Sequence, residues 1–147
     1  MYTKKTLIFI FLTLFLFGCS SKRTITTYEN PSLLDKVWGV VSIQGVKIEY
    51  KNQSDVLFFT FSNDRKVHGF AGCNSYEGNF SADEDKMTIQ QVAITKKACP
   101  ESQLEKQFLK GLAQITKFYV RNKTLKFFDE SGKEIFHCVL VEEEKLP

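Results

Sequence analysis

One helical stripe, set among short runs of strand-forming residues, limits this chain's fold more than any other feature. Leu104, Phe108, Leu112 and Ile115 recur at intervals of 4, 4 and 3, which puts them on one face of a helix predicted over residues 100–116. Pro100 suits the first helical position, where its missing N–H would have no partner anyway. Glu101 near the start and Lys110 and Lys117 near the end suit the helix dipole, and Gly111 weakens the helix slightly. The rest of the chain from Val37 reads as strands, predicted over residues 37–43, 46–50, 56–61, 66–72, 76–81, 87–90, 118–121, 124–129 and 134–141 and separated by turn residues. A helix with one apolar stripe must bury it, and the sheet is the surface available. The expected class is therefore α+β: a curved antiparallel sheet packed on one main helix.

The N-terminus has a different character. Of the 14 Phe residues, Phe9, Phe11, Phe15 and Phe17 fall within the first 17 positions. Lys4 and Lys5 precede an apolar run from Leu7 to Phe17, and Gly18-Cys19 closes it. A basic start, a short apolar stretch and a small residue before the cut describe a secretory signal over residues 1–18. The run is too short to span a bilayer, which takes roughly 20 residues. Leu16-Phe17-Gly18-Cys19 resembles the lipobox of bacterial lipoproteins, with Phe17 where a small residue is usual. The resemblance implies cleavage before Cys19, lipid on its thiol and a membrane as partner through that lipid. Ser20 in the next position implies, by resemblance to a sorting rule of enteric bacteria, the outer membrane of a Gram-negative cell. Residues 19–32 are polar and aperiodic and read as a flexible tether. Residues 142–147 read as a disordered tail. Lys4 and Lys5 are two of the 20 basic residues, so 18 remain beyond them against 17 acidic ones. That balance and the lack of a basic stripe argue against nucleic acid as a partner.

Residues 69–78 read Gly-Phe-Ala-Gly-Cys-Asn-Ser-Tyr-Glu-Gly. Gly69, Gly72 and Gly78 beside Asn74 predict a sharp strand-to-strand corner with close backbone approach, since Gly takes φ > 0 and Asn tolerates it. Tyr76 and Phe80 then alternate onto one face. This stretch resembles the signature of the META domain family, also called HslJ-like. Trp38 in the first strand, residues 61–69, Thr95-Lys96-Lys97-Ala98-Cys99-Pro100 before the helix and residues 125–135 follow the family's order, with Lys97 where Met is frequent. The similarity covers residues 33–141. It implies a small α+β fold likened to a cracked barrel, the architecture of the lipoproteins that pilot secretins to the outer membrane. Members are secreted proteins or lipoproteins linked loosely to stress resistance or secretion, and the resemblance implies no enzyme.

The reactive side chains form no catalytic set. Cys73 and Cys99 stand 26 positions apart, and in an oxidising envelope they can form a disulfide worth about 3 kcal/mol. Two buried thiols, or a reactive thiol at the helix start serving as a redox sensor, are the alternatives. Cys138 reads as a small hydrophobe in the last strand. No metal-ligand spacing joins His68, His137 and the cysteines, and His68 reads as a partly exposed strand residue. Asp83, Glu84 and Asp85 lack the oxygen spacing of a calcium loop. No nucleophile motif, phosphate loop or cofactor motif is present. Phe58-Phe59 and Phe127-Phe128 each put one ring on each face of a strand, so an apolar strip is expected on the outer face. The expectation is a lipid-anchored, non-catalytic binding or stress-related module. Its binding residues are sought around Gly69, Gly72, Asn74, Tyr76 and Gly78, and its partner is an envelope protein or an apolar ligand such as an acyl chain, in the groove between sheet and helix.

Overall fold

A computed structural model describes residues 30, 32–98 and 103–141. The signal, Cys19, Cys99, Pro100, Glu101 and the acidic tail lie outside the described residues. Among the described residues, nine strands form one antiparallel sheet: β1 (Val37–Ile43), β2 (Val46–Lys47), β3 (Phe58–Phe61), β4 (Lys66–Phe70), β5 (Ser75–Asp83), β6 (Lys86–Ile94), β7 (Lys117–Arg121), β8 (Thr124–Phe128) and β9 (Glu134–Leu140). The spatial order is β2-β1-β3-β4-β5-β6-β7-β8-β9, and β1 also pairs with β9, so the sheet curls into a ring. The ring is irregular, because β6 and β7 share a single paired position, Lys86 with Lys117. The α+β class expected from the helical stripe is what forms.

Alternation explains the core. In β3, Phe59 and Phe61 point inward and are fully buried, while Phe58 is half-buried on the outer face. In β5, Tyr76 and Phe80 face inward, and in β8 Leu125 and Phe127 do the same with Phe128 outside. Each adjacent Phe pair thus splits across the sheet, as the two-residue period requires. Trp38 is buried in β1 and donates its indole N–H to the Leu33 carbonyl at 2.9 Å. Ahead of it, Asn30 caps a turn: its carbonyl accepts from the N–H groups of Leu33 and Leu34 at 2.9 and 3.0 Å.

The helix α1 (Gln103–Leu112) ends sooner than the apolar stripe suggested. Leu104, Phe108 and Leu112 lie on it; Ile115 is buried just past its end. Phe108 enters the ring and meets Phe59, Tyr76 and Phe136 at ring-centroid distances of 5.2, 5.4 and 5.2 Å. Gly111 makes this seating feasible. A Cβ there would stand 2.5 Å from Phe136 Cζ and 3.0 Å from Ile135 Cγ2. Helix propensity alone favours Gly111→Ala by about 1 kcal/mol, but the crowding reverses the sign. Gly111→Ala is expected to lower stability by about 1–3 kcal/mol, the usual cost of overpacking, in guanidinium unfolding. An increase in stability would show that the helix does not seat this closely.

Candidate functional site

The corner between β4 and β5 is built from the residues singled out in the sequence, each used differently. Gly69 lies where β3 comes close: a Cβ on it would fall 1.9 Å from the Phe58 carbonyl oxygen. Gly72 takes the left-handed turn at φ +113°. Gly78 faces a bulge in β6 at Gln91, φ +54°, and a Cβ on Gly78 would be 3.0 Å from the Gln90 carbonyl oxygen. Tyr76 is buried and donates its hydroxyl to the Phe58 carbonyl at 3.1 Å. Burial raises its phenol well above the ordinary range, and Cys138 adds to the effect.

Asn74 differs from its expected role. It is not among the residues with positive φ; it works through its side chain, buried to 8% exposure. Its Oδ1 accepts from the Lys97 N–H at 2.8 Å and the Thr95 hydroxyl at 2.9 Å. Its Nδ2 donates to Glu105 Oε1 at 3.0 Å and to Cys73 Sγ at 3.4 Å. One amide therefore fastens the corner, the strand exit after β6 and the first turn of α1, and none of its capacity is left for a ligand. These partners were not legible in the sequence, because Thr95, Lys97 and Glu105 are up to 31 positions away.

The remaining reactive residues stay apart. Cys73 is buried beside Asn74, and its expected partner Cys99 lies outside the described residues. Cys138 is a free, buried thiol, pushed well above its ordinary pKa by burial and secondarily by Glu134. His68 is exposed on β4 and His137 half-buried on β9. Asp83 ends β5 and Glu84-Asp85 form an exposed turn. Among the described residues no three His, Cys, Asp or Glu side chains are grouped to hold a metal ion, and no helix is long and apolar enough to cross a membrane.

Among the described residues, two apolar hollows lie outside the ring interior, where the aromatic rings pack. The first, of about 300 Å³, sits on the outer face. The chain after β2 arches over β1, and Tyr50 donates its hydroxyl to the Val40 carbonyl at 2.7 Å. Beneath the arch, Val37, Val41, Val56, Phe58, Val139 and Val141 form an apolar lining around Gly39, with Gln53 and Ser54 as further polar members. Sequence reasoning missed this site. A signal was present: β1 reads Val-Trp-Gly-Val-Val, apolar at successive positions, which marks a strand covered on both faces. The second hollow, about 310 Å³, is a groove between β6 and α1 beside the Gly78 bulge.

Comparison with known proteins fits this architecture. The model of the META domain matches residues 31–139, and the chain belongs to the META domain family. An NMR structure of a protein from Burkholderia xenovorans is similar at TM-score 0.60 and 20% identity, covering 85% of this chain and 97% of that one. A crystal structure of a DUF4847 family protein from Bacteroides vulgatus is similar at TM-score 0.56 and 17% identity, covering 73% and 93%. At these identities the likeness is one of fold. No curated protein matches the chain.

Asn74→Ala removes the acceptor of the Lys97 N–H and the Thr95 hydroxyl and the donor to Glu105. The expected loss is about 1–3 kcal/mol, read from the midpoint of denaturant unfolding. A change below about 0.5 kcal/mol, the scale of ordinary surface substitutions, would show that water replaces Asn74 at no cost.

Proposed function

We propose that this protein is a lipid-anchored module of the bacterial cell envelope, held at the outer membrane through Cys19, that binds an apolar ligand without catalysing a reaction. The observation that carries the binding half is the hollow under the Tyr50 arch. Its volume of about 300 Å³ is at the lower end for small-ligand sites, and its walls are mostly valine, with Gln53 and Ser54 as polar members. Its one phenol, Tyr50, is already committed to the Val40 carbonyl. Such walls favour an uncharged chain or ring by excluding water from it. The anchor rests on Leu16-Phe17-Gly18-Cys19.

A Cys73–Cys99 disulfide belongs to the same reading. Asn74 holds the Lys97 N–H and the Glu105 carboxylate at 2.8 and 3.0 Å, so the chain on both sides of Cys99 is tied next to Cys73. Oxidation there would join the corner to the start of the helix and leave no thiolate for redox chemistry.

Two experiments test the two halves. In cell fractionation, Cys19→Ala moves the protein from the membrane to the soluble fraction; unchanged membrane association refutes the anchor. Separately, the Cys19→Ala chain purified without detergent is expected to enhance the fluorescence of a phenylnaphthylamine dye, and a long-chain fatty acid displaces it. Val139→Trp, on the pocket wall, weakens the dye at least about tenfold, or 1.4 kcal/mol. Equal dye binding by Val139→Trp and the parent rules this pocket out as the site.

A further inference from the structure

The ring of strands opens in one place. β6 pairs with β5 along its length, yet meets β7 only at Lys86 and Lys117. The last rungs between them are the Met87 N–H to the Thr116 carbonyl at 3.0 Å and the Phe118 N–H to the Asp85 carbonyl at 2.8 Å. Beyond Met87 the edge of β6 turned away from β5 has no strand beside it among the described residues. Residues 90–98 are exposed one after another. Unpaired N–H and C=O groups along such an edge are a template for another strand.

The side chains beside this edge suit an incoming strand. At Gln91 the bulge gives β6 one residue more than β5 between the paired positions Glu77–Ala93 and Asn79–Gln90. The extra residue resets the alternation: Met87 and Ile89 are buried, and beyond the bulge the apolar residues are Val92 and Ile94, 38% and 43% exposed. Together with Leu109, Leu112 and Ala113 of α1, Ile89, Val92 and Ile94 line the groove of about 310 Å³. Strand addition needs main-chain groups for affinity and hollows for alternate side chains, and β6 with its groove supplies both.

Charge narrows the partner. Lys86 and Lys117 stand at one end of the edge, Lys96 and Lys97 follow its other end, and Lys110 is exposed on α1. None of these five forms an ion pair among the described residues. Acidic side chains near this rim are Asp83, Glu84 and Asp85 of the β5–β6 turn at the Lys86 end, Glu77 opposite Ala93, which pairs with Lys66 at 3.7 Å, and Glu105, which Asn74 engages. We propose that β6 is the docking edge for an extended segment of a second protein in which apolar residues alternate with acidic ones. The apolar residues enter the groove along α1, and the acidic ones meet the lysines. A second copy of this chain pairing edge to edge is the outcome that sedimentation separates from this one. The inference deepens the reading of the chain as a binding module and names a partner class. It depends neither on the anchor nor on the pocket under Tyr50.

The test is NMR of the isotope-labelled Cys19→Ala chain with an end-blocked peptide alternating Glu and Val over seven residues, beside a control alternating Lys and Val. The expected result is movement of the amides of residues 88–94, with binding at least about tenfold weaker for the Lys peptide at low salt. Ile94→Ser, at a position 43% exposed, removes an apolar wall of the groove without adding charge and should weaken the Glu peptide to a similar extent. Shifts confined to the β1–β3–β9 face, equal binding of the two peptides, or no shifts at all overturn the proposal. So does the outcome in which the lysines only guard the edge: Lys96→Ala with Lys97→Ala then makes the chain self-associate in sedimentation, with no peptide binding in the parent. Failure here with the dye result intact leaves the apolar-ligand reading standing, and the reverse also holds.

Discussion

The ring of Phe59 is the point on which the rest of the structure depends. It contacts five other rings: Phe61 at 6.0 Å, Tyr76 at 6.1 Å, Phe108 at 5.2 Å, Phe127 at 5.0 Å and Phe136 at 5.4 Å. Those rings come from β3, β5, α1, β8 and β9, so one side chain gathers both ends of the fold and its helix. Tilted and edge-on pairs of this kind add about 0.5–1.5 kcal/mol each beyond the area they bury. A flat sheet could not bring β3 and β8 to the same ring. The curl that closes β1 onto β9 brings these rings together. The apolar hollows described above lie at the outer face and beside the break in the ring.

Much of this was legible in the sequence because it follows from period. The two-residue repeat put Tyr76 and Phe80 on one face and split Phe58-Phe59 and Phe127-Phe128 across their strands; that Phe59 and Phe127 are the inner members is a finding of the structure. Leu104, Phe108 and Leu112 repeat at helical spacing and lie on α1. Gly69, Gly72 and Gly78 marked a corner, and the corner is there. The resemblance named the family that the domain match bears out.

What stayed hidden is what depends on contacts distant in sequence or on broken periods. Strand β6 continues to Ile94, but the extra residue at Gln91 shifts its alternation, so Gln90 to Ile94 carries no readable pattern. Asn74 was read for its tolerance of unusual backbone angles, while its work is done by a side-chain amide between distant segments. Gly111 read as a flaw in the helix; it is where Phe136 and Ile135 approach. The arch at Tyr50 has no secondary-structure signal, since it is held by a hydroxyl donated to a strand carbonyl ten residues back.

The break in the ring follows from the same packing. Phe108 reaches Phe59 from α1, and α1 borders β6 across the groove lined by Leu109, Leu112 and Ala113. Gly111 lets the helix lean on β9, against Ile135 and Phe136. Leaning to that side leaves space on the other, and the groove along Ile89, Val92 and Ile94 is that space. A larger residue at 111 would push the helix away from β9 and toward β6, narrowing the groove as it strained the core. Stability and the open edge are thus coupled through one glycine. Without Phe108 the centre around Phe59 would lose one of its five neighbouring rings, the one that ties the helix to the sheet.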